Sequence, residues 1–254
     1  LLVSVCTADG KQKLVSEQLK QILDEDKYVS YKLLYIKIPP DLKKALQGIK
    51  LDKYDIVAAY GGDGTIVGAF KDLRNYRLPI LVLPGGTANV LAKYFGMPQD
   101  VAECLGLYLN NTFVTRKVDI ASLNDDPLVL DLHAGLWTEA ITTTSHKLKK
   151  SVGAAAYAWS AVKYAPKAPL QTYEFTIDNL PAREVRGYTF LVVNQGRHDI
   201  LGQPIFLQDQ APGMVQIAIV KSVQLHRLLA WFAYKLFTNG RNLQSVIETH
   251  RAKQ

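Results

Sequence analysis

A chain of 254 residues, 48% hydrophobic and 21% charged, has the composition of an ordinary globular protein with a sizeable core, in one large or two modest domains. Its longest apolar runs, such as Ile80 to Leu83 and Leu228 to Tyr234, fall far short of the roughly 18 to 20 residues that span a bilayer, which excludes a transmembrane helix. The net charge of +7 favours anionic partners: nucleotides, acidic lipid headgroups or nucleic acid.

The start, Leu1-Leu2-Val3-Ser4-Val5-Cys6, lacks the basic lead of a signal peptide and also lacks an initiator Met, so the chain reads as trimmed at the front, with trimming at the carboxyl end to be expected too. Cys6 and Cys104 each sit in an apolar setting and read as reduced thiols rather than a disulfide framework, which makes the cytoplasm the expected compartment.

In chain order, Leu1 to Cys6 predicts a strand. Leu14, Leu19, Ile22 and Leu23 recur at helical spacing, and Tyr31 to Ile38 predicts a second strand. The alternation continues with strand Asp55 to Tyr60, helix Ile66 to Leu73, strand Ile80 to Leu83 and helix Ala88 to Phe95, the last stopped by Gly96 and Pro98. Such alternation implies a parallel sheet covered by helices, with ligands at the carboxyl ends of its strands.

After about Asp119 the texture changes. Pro127 to Leu132, Tyr173 to Ile177, Tyr188 to Val193 and Val215 to Val220 predict strands, and the helical pattern between them is confined to about Val152 to Tyr164. Val223 to Phe237 predicts a final helix, with Gly240 as its stop. The expected architecture is therefore α/β. Residues 1–120 form a parallel-sheet nucleotide-binding domain, and residues 121–254 form a mainly β, sandwich-like second domain truncated at its carboxyl end.

Two glycine-threonine loops punctuate the first domain: Gly61-Gly62-Asp63-Gly64-Thr65 and, one βα unit later, Gly85-Gly86-Thr87-Ala88-Asn89. Glycines let the backbone bring its N–H groups against phosphate oxygens, and a side chain at Gly62 or Gly64 would block that approach. Asp63 suits a metal or a ligand hydroxyl, and Thr65 a phosphate or a helix cap. Thr87 and Asn89 would close the other side of the same phosphate or ribose site. The plainer reading is capping, with Asp63 or Thr65, and Thr87 or Asn89, serving only the helices that follow. The recurrence of the loop and its internal acid favour a nucleotide. The basic run His146-Lys147-Leu148-Lys149-Lys150 reads as a solvated face, and nothing in the sequence matches a helix-turn-helix, a zinc-ligand spacing or an aromatic RNA-binding signature, so nucleic acid is not an expected partner.

The first loop, followed by Leu83-Pro84-Gly85-Gly86-Thr87-Ala88-Asn89-Val90-Leu91-Ala92 and Phe95-Gly96-Met97-Pro98, resembles the diacylglycerol kinase catalytic domain shared by bacterial lipid kinases and sphingosine kinases. Further on, Leu132-His133-Ala134-Gly135-Leu136 is similar to the family's asparagine-alanine-glycine segment, Gly153 to Tyr157 to its glycine-to-tyrosine helix start, and Val193-Asn194-Gln195-Gly196 to its strand ending in Asn-Gly. The resemblance implies transfer of the γ-phosphate of ATP to a lipid hydroxyl, diacylglycerol-like or sphingoid, with Mg²⁺. It carries Gly62, Asp63, Gly64, Thr65 and Thr87 over to the nucleotide site; with Gly61, Gly86 and Asn89 from the loops themselves these are the candidate nucleotide residues, and Asp63 is the candidate for phosphate or metal positioning. The same signature is similar to NAD kinases, although the Pro-Gly-Gly-Thr-Ala-Asn segment fits the lipid kinases better.

The chain departs from the family pattern at several points. Gly68 stands where the family has Glu, and Asn89-Val90 stands for Asn-Asp. Thr7-Ala8-Asp9-Gly10-Lys11 replaces an Asn-Pro-x-x-Gly turn, and Pro212-Gly213 replaces an Asp-Gly that helps hold a structural magnesium, with Asp209 nearby as a substitute ligand. The family's Asp-Gly-Glu catalytic segment does not occur before Gln254. A catalytically silent nucleotide- or lipid-binding relative is therefore the alternative to an active kinase, and an NAD kinase-like enzyme is the third reading.

For lipid access, Leu225, Leu228, Leu229, Trp231, Phe232, Tyr234, Leu236 and Phe237, interleaved with His226, Arg227 and Lys235, would make an interfacial helix meeting acidic lipid at the membrane periphery. A helix packed on the second domain with a basic outer edge is the commoner outcome for such a stripe. Ala154 to Tyr164, with Tyr157 and Trp159, invites the same two readings.

Overall fold

The computed structural model describes residues 1–6, 12–36, 42–143, 163–196, 199–200, 203–206, 212–238 and 242–253. The chain divides into two compact units, Leu1–Val118 and Asp119–Gln254.

The first unit contains β1 (Leu2–Cys6), α1 (Gln12–Asp24), β2 (Lys32–Ile36), α2 (Leu42–Ala45), β3 (Val57–Gly61), α3 (Asp63–Leu73), β4 (Ile80–Pro84), α4 (Val90–Tyr94) and α5 (Val101–Leu109). All strand pairs are parallel, in the order β2-β1-β3-β4. β3 is buried along its whole length, which is why it reads as an unbroken apolar run rather than an alternating one. On one face Val3, Ala58, Tyr60, Leu81 and Leu83 pack with Leu19 and Leu23 of α1 and with Cys104 and Leu105 of α5. α3 lies against β3 and β4, burying Ile66, Ala69 and Leu73 at helical spacing.

α5 has no counterpart among the predicted elements. Its start is capped by Asp100, whose carboxylate accepts from the backbone N–H groups of Ala102 and Glu103 at 2.8 and 3.0 Å. Burial pushes the Cys104 thiol up to about 11, so it stays protonated and free, as a reduced core thiol does. The side chain of Cys6 lies outside the described residues.

The second unit contains β5 (Ala121–Leu123), β6 (Asp126–Leu128), β7 (Asp131–Gly135), α6 (Leu136–Thr143), β8 (Gln171–Phe175), β9 (Arg183–Gly187), β10 (Thr189–Val193), β11 (Asp199–Ile200), β12 (Gln203–Pro204), β13 (Val215–Val220), α7 (Leu225–Phe237) and β14 (Ile247–Ala252). Its main sheet runs β14-β13-β10-β7, all antiparallel. One face carries Leu191, Val193 and Ala218, which pack with Trp231 of α7. The other carries Ile217 and Ile219, which pack with Ile177 and with Val185 of the β8–β9 hairpin. The expected α/β fold with a mainly β second part is thus borne out.

Three expectations are corrected. The single strand predicted over Pro127 to Leu132 is two, β6 and β7, because the chain leaves one ladder and joins another between them. Helix is not confined to residues 152–164, since α6 follows β7 directly. Its turn needs Gly135 at φ +85, where a Cβ would also collide with the Tyr188 carbonyl oxygen. α4 begins at Val90 rather than at the predicted Ala88, because Asn89 is left-handed at φ 48. Most of 152–164, the basic run 146–150 and Gly240 lie outside the described residues.

Asn194, 2% exposed, ends β10 and ties this unit together. Its amide nitrogen donates to the carbonyls of Asp119, Leu128 and Val129 at 2.9, 2.8 and 3.1 Å, while its backbone N–H donates to the Leu130 carbonyl at 2.8 Å. Asn194→Leu would take the amide donor from the Leu128 and Val129 carbonyls, while the Asp119 carbonyl keeps Gln195 Nε2 at 3.2 Å, and the expected cost is about 1–3 kcal/mol, read as a lower urea midpoint at unchanged slope. A midpoint equal to that of the parent would show that the amide is dispensable.

Candidate functional site

The sheet order reverses between β1 and β3, since β2 lies to one side of β1 and the later strands to the other. The carboxyl ends of strands at such a reversal form a crevice that α/β sheets use for ligands. Gly61 ends β3 there, and Pro84 leads directly into the second glycine loop at the end of the neighbouring β4.

The two loops touch through their backbones. The Gly85 N–H donates to the Gly61 carbonyl at 2.8 Å. A Cβ on Gly86 would lie 2.6 Å from the Gly62 Cα, a separation no real side chain tolerates. A Cβ on Gly85 would run into the Tyr60 ring at the same distance, and one on Gly61 would meet Thr65 at 2.5 Å. Gly64 differs: among the described residues a Cβ there meets nothing within 4 Å, which leaves room for a ligand.

Gly62 is the N-cap of α3 and has no side chain with which to cap it. The first-turn N–H groups of α3 thus retain the positive end of the helix dipole without a side-chain acceptor. Asp63 does not cap its own helix. Its Oδ1 accepts from the backbone N–H of Leu91 at 3.0 Å, so the acid of the first loop holds the start of the helix that follows the second.

Asn89 likewise serves its loop rather than α4. Its Oδ1 accepts from the Gly86 N–H at 2.8 Å, and its Nδ2 donates to Gln99 Oε1 at 3.4 Å. Gln99 in turn donates to the Met97 carbonyl at 3.1 Å. Neither residue caps the helix that follows its own loop: Asp63 reaches from the first loop to the start of α4, and Asn89 closes the second loop on itself. Thr87 is exposed, and its side chain makes no hydrogen bond among the described residues. Gly96, left-handed at φ +71, stops α4 as its position predicts.

Gln99 was missed from sequence, and only its place after the Gly96-Met97-Pro98 stop gives any hint of it. Asp209 and the 7–11 turn lie outside the described residues. At Pro212-Gly213 the Gly213 N–H donates to Asp119 Oδ2 at 2.7 Å, which pins this turn to the start of the unit. Among the described residues no group of three His, Cys, Asp or Glu side chains is placed to hold a metal ion. His133, in the segment similar to asparagine-alanine-glycine, keeps its Nδ1 buried without a partner among those residues.

A parallel α/β unit with two interlocked glycine loops at its carboxyl edge, joined to an antiparallel second unit, defines the class. Residues 5–123 match the diacylglycerol kinase catalytic domain, which bears out the resemblance carried by the loops. A diacylglycerol kinase of Bacillus subtilis is 27% identical over 215 residues, covering 82% of this chain and 69% of that protein. An uncharacterized protein of Synechocystis is 31% identical over 124 residues, covering 48% of this chain. The chain spans only 28% of that relative's length. A crystal structure of a diacylglycerol kinase from Bacillus anthracis superposes with a TM-score of 0.71 over 99% of this chain and 83% of its own, at 22% identity, a likeness of fold.

Proposed function

We propose that this protein is an ATP-dependent lipid kinase that transfers the γ-phosphate of ATP to the hydroxyl of a diacylglycerol-like or sphingoid lipid. The observation that carries the reading is the interlocked pair of loops at the sheet reversal, which leaves the uncapped start of α3 beside glycine backbone. That arrangement suits phosphate oxygens, which take hydrogen bonds from loop N–H groups and lie at the positive end of a helix dipole. The names of the relatives point the same way.

The chemistry asked of the chain is alignment and charge neutralisation more than covalent work. Gly61, Gly62, Gly64, Gly86 and Thr87 would seat the phosphates. Asn89 would hold the second loop in shape through the Gly86 N–H. Asp63 carries a carboxylate with one oxygen committed to Leu91 and a second available to Mg²⁺. Mg²⁺ commonly takes one or two protein carboxylates and completes its shell with phosphates and water, so the lone acid fits. The ion supplies neutralisation of phosphate charge.

A silent relative is favoured by one specific observation: Asp63 already has a structural partner, and Val90 offers no second acid beside it. Full-length protein with labelled ATP, Mg²⁺ and mixed micelles of diacylglycerol or sphingoid lipid decides between the two. Label should appear in the lipid phase and vanish with EDTA. ATP binding with no label in any lipid pool supports the silent reading, and NADP formed in a coupled assay with NAD would move the function to the NAD kinase class.

A further inference from the structure

α7 is apolar on both of its sides. Trp231 is wholly buried, and Leu228 and Phe232 pack around it against the main sheet. Lys235, expected from sequence on a basic outer edge, is instead 1% exposed; its Nζ donates to Asn242 Oδ1 at 3.1 Å and lies 5.6 Å from the centre of the Trp231 ring. With that cation drawn inward, the outer face carries Leu229, Ala233, Tyr234, Leu236 and Phe237, at spacings that line one side of a helix. Leu229 is 54% exposed, Leu236 58% and Phe237 89%.

Helices of soluble proteins cover such a face with polar groups or bury it. Among the described residues the charged or ionisable groups on the outer face are His226 and Arg227, both exposed in the first turn, beside the Tyr234 hydroxyl. The sequence around the helix carries charge of one sign. From Gln210 to Ile247 the sequence contains no Asp or Glu. The next acid, Glu248, is nearly buried and held between Arg183 and Lys221 at 3.1 and 3.0 Å.

We propose that the outer face of α7 docks on an anionic lipid surface, with Leu229, Tyr234, Leu236 and Phe237 entering the interface and Arg227 meeting the headgroups. An apolar stripe with an exposed arginine at its start and no acid along it suits a helix lying in an anionic membrane interface. A second copy of the chain fits the face poorly. A 13-residue helix offers a strip of roughly 20 by 10 Å, far less than the ~800 Å² per partner of a stable interface. The docking agrees with the lipid-kinase reading but is tested without it.

Full-length protein, with no nucleotide present, is sedimented with vesicles of phosphatidylcholine alone or mixed with phosphatidylglycerol. The parent should pellet with the mixed vesicles. L236E combined with F237E should weaken that partitioning by at least about tenfold, since two large side chains lose their burial and a charge enters in place of each. R227A should weaken binding to mixed vesicles by roughly fivefold and leave binding to phosphatidylcholine unchanged. L180E, at an equally exposed leucine of the same unit, should change neither. Parent protein that stays in the supernatant, or a double variant that pellets as well as the parent, overturns the proposal. So does a parent dimer in analytical ultracentrifugation that L236E/F237E dissociates while vesicle binding persists. Loss of kinase activity with docking intact would strike the functional reading and leave this one standing.

Discussion

Gly86→Ala is expected to lower kcat/KM for ATP by roughly a hundredfold or more while leaving the protein folded. The added methyl cannot be accommodated where it stands, because it would sit 2.6 Å from the Gly62 Cα, and backbone has no rotamer through which to retreat. The second loop must move away from the first by most of an ångström, and if the loops position phosphates as proposed, displacement on that scale costs about two orders of magnitude in rate. Gly64→Ala provides the contrast. Its Cβ meets no protein atom and replaces a helical glycine, so stability should rise by about 0.5–1 kcal/mol, and any loss of activity there reports a ligand against α3. Steady-state kinetics and urea unfolding of both variants decide the matter. A Gly86→Ala enzyme with parental kinetics would mean that the loops do not seat the phosphates.

The second large effect belongs to Asp63, and a pair of substitutions separates its two roles. Asp63→Asn keeps an oxygen to accept from the Leu91 N–H, so stability should change by only a few tenths of a kcal/mol, whereas Asp63→Ala leaves the start of α4 without its acceptor and should cost about 1 kcal/mol. Both remove the negative charge from the site, and both should lower lipid phosphorylation by about 10²–10³-fold, the scale of losing one preorganised electrostatic group. If Asp63→Asn phosphorylates lipid as well as the parent, Asp63 is a brace and nothing more. If Asn and Ala variants are equally inactive but differ in unfolding midpoint, the acid has both roles.

How far the sequence could be read depended on whether a feature was local. β3 and β4 were visible because strands covered on both faces are unbroken apolar runs. The loops were visible because sharp strand-to-helix turns demand glycine. α5 was missed although Asp100 and Glu103 mark its start, because its nearly uniform apolar sequence hides any face. β14 was missed for the opposite reason. Glu248, Thr249, His250 and Arg251 look like loop, and become a strand because Ile247–Ala252 pairs with β13 along its whole length, with Glu248 meeting Lys221 just past the end of β13 and Arg183 of β9. Burial opposes ionisation of that carboxyl, yet its hydrogen bonds to Lys221 and His250 prevail and hold it below the usual range. On α7 the periodicity was plain, but it could not tell which apolar residues faced inward or that Lys235 would turn in with them. The partner of Asp63 was equally hidden, because Leu91 is distant in sequence and meets it only in the folded sheet.

The hydrogen bond from the Leu91 amide to Asp63 makes the two loops a single thermodynamic object. A ligand that draws on the charge of Asp63 must weaken or strengthen its grip on α4, and by linkage any change that loosens α4 alters affinity at the first loop by the same free energy. Evolution could therefore tune how tightly the first loop is held from positions in or behind α4 that lie outside it. Substitutions there, around Leu91 and Ala92, belong with the loops themselves when variants of this protein are compared.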